Sequence, residues 1–152
     1  MKMYWSSRAR LISRMKRTGS LYEQSFFLEA LKNDLEVFTP IGDYLPQDCI
    51  VMNRAGRVFK VQIKGTACLI KTCKGGKGRY MITASSGNDM KKSIDCQKVD
   101  ILAAYVDPTD SWYLIPSLQL DNAVRISLYP HNSNSKAKHE KFLENWEVFK
   151  VS

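Results

Sequence analysis

The chain has 152 residues, and 23 Lys and Arg outnumber 15 Asp and Glu, which gives a formal net charge of +8. The length suits one domain with its own core, and an apolar content of 44% excludes a chain that is disordered throughout. No apolar run approaches the roughly 20 residues that span a bilayer, so we expect no membrane partner. A basic chain of this kind favours a polyanionic partner, most often nucleic acid.

The start of the chain and the cysteines both predict a cytoplasmic protein. The first residues lack the apolar stretch and the small-residue cleavage site of a secretory signal. The cysteines form no Cys-x-x-Cys pair, so we expect reduced thiols rather than disulfides or a zinc site. They are Cys49, Cys68, Cys73 and Cys96.

Residues 1–17 form a basic segment that contains no acidic residue. This segment suits either a helix with a basic face or an arm that folds on a polyanion. The sequence Thr-Gly-Ser at 18–20 predicts a break, so we assign the basic segment to 1–19. A helix is then predicted over 20–33, where Ser20 and Glu23 fit a capping box in which each side chain satisfies a backbone amide.

The rest of the chain mostly follows β-strand patterns separated by turn residues. The glycine-rich stretch 74–78 predicts a flexible, basic hairpin tip. The order of helix, strands and helix, without repeats or a long linker, predicts one α/β or α+β domain over 1–152. Strands are expected near 36–40, 48–52, 57–64, 67–73, 79–83, 99–106, 111–116 and 124–129, and a final helix near 138–146.

Polar residues on one predicted hairpin suggest a catalytic site. The two-residue period of a strand places Gln62 and Lys64 on the same face, and Asp48 opens the neighbouring strand. Asp48 and the Gln62 carbonyl oxygen suit Mg²⁺, and Glu23 from the first helix can complete the metal ligands. Lys64 would position or deprotonate the water that attacks a phosphodiester. This pattern predicts metal-assisted phosphodiester hydrolysis.

Each of these residues also has a purely structural interpretation. Glu23 can be only the capping partner of Ser20, and Gln62 and Lys64 can form the solvated face of an amphipathic strand. Asp43 is an alternative to Asp48, although it lies in the preceding loop rather than at the start of a strand.

The sequence resembles the PD-(D/E)XK nuclease superfamily. The resemblance rests on Glu23, on Pro-Gln-Asp at 46–48 and on Val-Gln-Ile-Lys at 61–64, followed by the segments 99–106 and 112–116. It covers roughly 20–120 and is strongest toward the small branch that uses Gln-x-Lys, which includes a cyanobacterial group I intron homing endonuclease. Most of the superfamily has Asp or Glu where this chain has Gln62, and a neutral amide binds Mg²⁺ more weakly than a carboxylate.

The resemblance implies a restriction-endonuclease-like fold, with a mixed sheet flanked by helices and a protruding β-hairpin. It also implies a Mg²⁺-dependent, site-specific endonuclease that makes a double-strand break. Cutting both strands calls for a homo-oligomer, either a dimer or a tetramer, for which the apolar segments 99–106 and 112–115 are candidates. Those segments can equally be core. The expected location is the cytoplasm, with nucleoid association on DNA.

Basic residues predict how double-stranded DNA would be contacted. A two-stranded ribbon fits the major groove, as the resemblance also implies for the predicted hairpin, whereas the N-terminal basic residues suit phosphates. The hairpin residues are Lys71, Lys74, Lys77 and Arg79, and the N-terminal residues are Arg8, Arg10, Arg14, Lys16 and Arg17.

Three other functions remain open from the sequence. A structure-selective nuclease, such as a Holliday junction resolvase, shares the fold and the chemistry. A non-catalytic DNA-binding module would bind DNA without regard to Mg²⁺. An RNA-binding protein that stacks bases on aromatic side chains is disfavoured, because the Trp and Tyr residues fall mainly in strand patterns that predict burial.

Overall fold

The computed structural model describes residues 7–71, 73–86 and 92–151, without the side chains of 7–10 and 86. One long helix precedes a series of strands, and short 3₁₀ turns follow the last strand. The helix α1 is Ser7–Lys32. The strands are β1 Glu36–Phe38, β2 Cys49–Met52, β3 Val58–Thr66, β4 Leu69–Ile70, β5 Arg79–Thr83, β6 Ser85–Ser86, β7 Lys92–Ser93, β8 Ile101–Val106, β9 Ser111–Pro116 and β10 Arg125–Leu128.

The main sheet is mixed, with the strand order β1-β2-β3-β8-β9. The strands β3 and β8 are parallel, and the other pairs are antiparallel. The chain between β3 and β8 forms most of a second sheet, in the order β10-β5-β4, and the small pair β6-β7. The predicted mixed sheet is therefore confirmed.

Both faces of the main sheet are covered. On one face α1 packs with the C-terminal segment, and Phe26 contacts Trp112 edge to face at 5.4 Å and stacks on Trp146 at 5.8 Å. On the other face, Leu102 and Ala104 of β8 pack with residues of β5 and β10. Within the described residues, this second layer is a sheet rather than a helix. The segment β8–β9, a candidate for assembly, forms core inside the chain.

The predicted break at 18–20 is wrong, because α1 continues through it as one helix of 26 residues. Ser20 lies in the middle of this helix, so the predicted capping box with Glu23 is wrong as well. An added Cβ at Gly19 would meet no atom within 4 Å, so no close contact requires a glycine there. The basic-helix alternative holds for residues 7–19, and residues 1–6 lie outside the described residues.

The final helix predicted near 138–146 is also wrong. Glu144 has a positive φ of 49° and its Oε1 accepts the Trp112 amide at 2.6 Å. Glu140 accepts the Tyr113 hydroxyl at 2.9 Å and the Tyr129 amide at 3.0 Å. These long-range hydrogen bonds fix an irregular segment against β9, and only two short 3₁₀ turns form.

The predicted hairpins form largely as expected. The strands β2 and β3 pair through a turn at 53–56, and β8 and β9 pair through the turn at 107–110. The basic hairpin forms between β4 and β5, but among the described residues of its first strand only Leu69 and Ile70 are paired. Within the described residues, no helix is long and apolar enough to cross a bilayer.

Candidate active site

A cleft of about 970 Å³ opens beside the β2-β3 hairpin, and Asp48, Gln62 and Lys64 meet there. Its lining draws on α1, on the loop before β2, on β3 and on the segment before β8. The charged and amide side chains in the lining are Lys16, Asp43, Asp48, Gln62, Lys64, Lys92, Asp95 and Lys98. A smaller adjoining cavity of about 380 Å³ is lined by Glu23 and shares Asp43 and Asp48 with the cleft.

Asp48 is held rigidly where the loop enters β2. Its amide donates to the Val61 carbonyl at 2.9 Å, and its Oδ2 accepts the Ile63 amide at 2.6 Å. Both bonds join Asp48 to the strand that carries Gln62 and Lys64. The other carboxylate oxygen, Oδ1, accepts no hydrogen bond from the described residues and is available to a ligand.

Gln62 places an unpaired polar atom in the cleft. The residue is only 5% exposed, and its Oε1 is buried without a hydrogen-bond partner among the described residues. A buried carbonyl oxygen without a partner costs about 1–3 kcal/mol, so such an atom is expected to be satisfied by water, an ion or a ligand. A cation or a donor entering the cleft would satisfy it.

Glu23 lies on α1, and its carboxyl group interacts electrostatically with charged residues that line the cleft. Burial raises the pKa of the Glu23 carboxyl, and the charges of Asp48 and Asp43 raise this pKa further, while Lys64 opposes them. Burial also raises the pKa of Asp48, against the Ile63 amide and Lys64, which lower it, with Asp43 raising it further. Three carboxylates in one another's field are the arrangement that a bound cation relieves.

Cys49 is an unsuitable nucleophile although it follows Asp48 directly. Burial raises the pKa of its thiol to about 12, with further contributions from Asp48 and Glu23. The thiol is therefore protonated at neutral pH, and only a thiolate is an effective nucleophile. The chemistry of the cleft thus lies with its carboxylates, its amide and its lysines.

The residues fit a magnesium ion by their chemistry. Within the described part of the chain, no group of three His, Cys, Asp or Glu is placed to share a metal ion. The candidate set is instead two carboxylates, Glu23 and Asp48, with the unpaired amide oxygen of Gln62. All three are hard oxygen donors, which suit Mg²⁺, and Mg²⁺ usually retains several water ligands.

The basic hairpin residues predicted to contact DNA differ in exposure and in their hydrogen-bond partners. Lys71 and Lys74 are exposed and have no partner among the described residues. Lys77 donates to Asn132 Oδ1 at 3.2 Å, and its carbonyl bonds the His131 ring at 2.8 Å. Arg79 is partly buried, and its Nε has no partner among the described residues. The hairpin tip is therefore tied to the loop at 131–132.

The N-terminal basic residues separate into two groups. Lys16 lines the cleft, which joins it to Asp48, Gln62 and Lys64. Arg14 and Arg17 are exposed on α1 and line none of the cleft. Arg8 and Arg10 lie on α1, but their side chains fall outside the described residues.

Sequence reasoning missed two lysines of the cleft. Lys92 lies on β7, and Lys98 lies in the turn that leads to β8. The only signal was a group of lysines shortly before the buried strand, and no hydrophobic period indicated which way they face. Their position depends on the pairing of β6 with β7, which the sequence did not predict.

Comparisons with known proteins agree with this geometry. A family profile described as PD-(D/E)XK endonuclease matches residues 13–151. The solved structure of a bacterial homing endonuclease, I-Ssp6803I, is similar with a TM-score of 0.69 and 23% sequence identity, over 89% of this chain and 91% of that chain. No curated protein matches the sequence. Since the family profile spans nearly the whole sequence, the chain belongs to the PD-(D/E)XK endonuclease family.

Proposed function

We propose that this chain is a Mg²⁺-dependent, site-specific DNA endonuclease that makes a double-strand break, as a homing endonuclease does. The observation that carries the proposal is the buried, unpaired Oε1 of Gln62 in the cleft that Asp48 and Lys64 also line. Family membership supports nuclease chemistry, and the likeness to a homing endonuclease supports the fold.

Glu23, Asp48 and Gln62 would hold the metal ion. When bound, Mg²⁺ supplies positive charge that stabilises the charge developing on the phosphate oxygens. Asp48 is preorganised for this role by its bond to the Ile63 amide. Two carboxylates and one neutral amide leave the site with less negative charge than three carboxylates would, so we expect a modest affinity for Mg²⁺.

Lys64 would act on the attacking water and on the phosphate. The water oxygen forms a bond to phosphorus while one ester P–O bond breaks, which leaves a phosphomonoester and a hydroxyl group. The proton of the water must be removed, and the leaving oxygen must gain a proton. An amine in the field of Asp48 and Glu23 is placed to orient the water and to offset charge on the phosphate.

The hairpin and the helix would contact DNA on either side of the chemistry. Among the described residues, the ammonium groups of Lys71 and Lys74 have no partner, which leaves them available to the major groove. The hydrogen bonds of Lys77 would hold the hairpin in position. Arg79, on the second strand of the same hairpin, would also contact the DNA. Arg8, Arg10, Arg14 and Arg17 would add phosphate contacts from α1, which increase affinity without sequence preference.

A double-strand break requires two active sites. We propose that the chain, as a single nuclease domain over 1–152, acts as a homo-oligomer, either a dimer or a tetramer, on a palindromic or near-palindromic site. The β8–β9 segment is core, so a different surface would form the interface. We place the protein in the cytoplasm, associated with the nucleoid when it is bound to DNA.

The test is cleavage of a plasmid pool that carries genomic inserts, with and without Mg²⁺. Wild type is compared with Asp48→Ala and Lys64→Ala. We expect cutting at one sequence in Mg²⁺ and none in either variant, and sequencing the ends gives the target and the stagger.

Two results would redirect the proposal. Cleavage of a four-way junction without sequence preference would indicate a structure-selective nuclease. DNA binding that is indifferent to Mg²⁺, without cleavage of the pool or of a junction, would indicate a binding module.

A further inference from the structure

Three lysines that the proposed chemistry does not use line the cleft. Lys16 comes from α1, Lys92 from β7 and Lys98 from the turn before β8. They belong to three separate elements of the chain, so the polar face of one helix or strand does not explain why all three line the same cleft. We call these residues the cleft lysines.

The cleft lysines lack the partners that would explain them as structural ion pairs. Lys16 and Lys92 are exposed, and their side chains have no hydrogen bond or ion pair among the described residues. Lys98 faces Asp95 at 3.8 Å, with both side chains about half exposed. An exposed pair of this length stabilises a protein by at most about 1 kcal/mol, so an anionic ligand can compete for Lys98.

The backbone beneath two of these lysines is fixed. Ser86 pairs with Lys92 across the β6-β7 ladder. The turn that carries Lys98 closes through bonds from the amides of 98 and 99 to the Asp95 carbonyl, at 2.9 and 3.0 Å. Asp100 anchors this turn to β3, because its Oδ2 accepts the Lys60 amide at 2.7 Å. Rigid support of this kind is what a preorganised binding site requires.

The cleft has room for a ligand larger than a hydrated ion. A water molecule takes up about 30 Å³ in the liquid, so about seven such volumes would hold Mg²⁺ and its water ligands. The cleft measures about 970 Å³, several times that volume. A nucleic acid strand, which carries a negative charge at every phosphate, matches both the space and the exposed cations.

We infer that Lys16, Lys92 and Lys98 bind the backbone phosphates that flank the scissile phosphate. This inference rests on the proposed function, because it takes the scissile phosphate to lie beside Asp48, Gln62 and Lys64. The cleft lysines are positioning residues: they hold the strand and do not touch the reacting atoms. Since they contact phosphates, they add affinity at every sequence and no discrimination between sequences.

The experiment compares two triple variants of equal charge. One replaces the cleft lysines, as Lys16→Gln, Lys92→Gln and Lys98→Gln. The control replaces three exposed lysines outside the cleft, as Lys32→Gln, Lys136→Gln and Lys150→Gln. Both carry a formal charge of +5 in place of +8, so long-range attraction is matched.

Affinity for a DNA duplex is measured against salt concentration without divalent cation, so that no strand is cut. Each lost phosphate contact lowers the slope of log K against log salt by about 0.9. We expect the cleft triple to lose about 2–3 in slope and the control to match wild type. Equal slopes for the two triples would overturn the inference. Thermal unfolding checks that both triples remain folded.

The outcome separates the inference from the proposed function. If wild type cleaves DNA while the two triples show equal slopes, the endonuclease stands and the cleft lysines do not bind phosphates. If the cleft triple alone loses slope and wild type cleaves nothing, the lysines bind DNA but the proposed reaction is wrong. Where wild type cleaves and the cut has been mapped, a duplex with one neutral methylphosphonate next to the cut locates the contact. If Lys92 contacts the phosphate that has been made neutral, Lys92→Gln should cause no further loss of affinity on that duplex. If the losses from Lys92→Gln and from the neutral phosphate add fully at every flanking position, the placement of the lysine is overturned.

Discussion

At the scale of single residues, the site combines raised carboxyl pKa values with one unsatisfied amide. The carboxyl pKa of Asp48 and that of Glu23 are both raised by burial and by neighbouring negative charge. Such groups reduce stability in the absence of a cation, and active sites often retain this cost because the ligand relieves it. The residues proposed to bind a cation should therefore limit the stability of the metal-free protein.

As the pH rises from acidic to neutral values, Asp48→Asn should lose less stability than wild type. The folded pKa of Asp48 lies above its ordinary value of 3.8, so the native state holds its proton longer than the unfolded state. Stability therefore falls as the pH rises from that ordinary value through the raised one, and it stays lower above it. The neutral amide of the variant removes this contribution, and it also removes part of the effect on Glu23.

The measurement is the free energy of urea unfolding from pH 4 to 7 in a chelator, for wild type and Asp48→Asn. We expect the variant to gain stability relative to wild type as the pH rises. Adding Mg²⁺ should then raise the melting temperature of wild type more than that of the variant. A constant difference at all pH values would contradict the account.

The residues of the candidate site were easier to predict than their surroundings. Asp48, Gln62 and Lys64 could be identified because a two-residue period and a hairpin turn fix which side chains share a face. Glu23 was identified as a carboxylate on the first predicted helix and through the family resemblance, although the predicted cap was wrong. Lys92 and Lys98 were missed because their placement depends on long-range pairing rather than on a local period.

At the scale of elements, the contact between α1 and β3 sets the position of Glu23. An added Cβ at Gly65 would lie 2.2 Å from the Tyr22 ring, so only glycine permits this approach. Tyr22 precedes Glu23, and Gly65 follows Lys64. The Tyr22 ring also packs edge to face on Tyr105 at 5.4 Å. This contact therefore fixes the position of Glu23 on α1 relative to Lys64 on β3.

Two Gly→Ala variants should change stability in opposite directions. Gly65→Ala must displace Tyr22, and overpacking of this kind costs about 1–3 kcal/mol. Gly19 lies within α1, where an added methyl group has open space. Gly19→Ala should therefore stabilise the protein by about 0.5–1 kcal/mol. Urea unfolding measures both changes. Destabilisation by Gly19→Ala would contradict a helix that continues through 18–20.

Elements that depend on local pattern were predicted, and those that depend on tertiary hydrogen bonds were not. The hairpins β2-β3 and β8-β9 follow from turn residues between apolar strands. The C-terminal segment has helical spacing, but Glu140 and Glu144 bond to β9 and to Tyr129 instead. At 18–20 a weak local break was overridden, because α1 gains more from continuing than from capping.

At the scale of the whole molecule, the main sheet is buried on both faces, and the polar candidate site lies beside its β2-β3 hairpin. The face toward α1 and the face toward the second sheet are both apolar core. Gln62 brings an unpaired polar atom into β3, and among the described residues the buried indole nitrogen of Trp112 on β9 also has no partner. The net charge of +8 serves attraction to DNA, and the cleft supplies the place where a strand would be cut.

The most direct test of the account is the single-turnover cleavage rate of Lys64→Met beside Lys60→Met on the isolated target site in Mg²⁺. Lys60 is a matched control on the same face of β3, but its ammonium donates to the Gln97 carbonyl and does not line the cleft. We predict that Lys64→Met lowers the rate by about 100-fold or more with little change in DNA affinity, whereas Lys60→Met cuts at nearly the wild-type rate. A Lys64→Met enzyme that cuts as fast as Lys60→Met would contradict the assignment of this cleft as the active site.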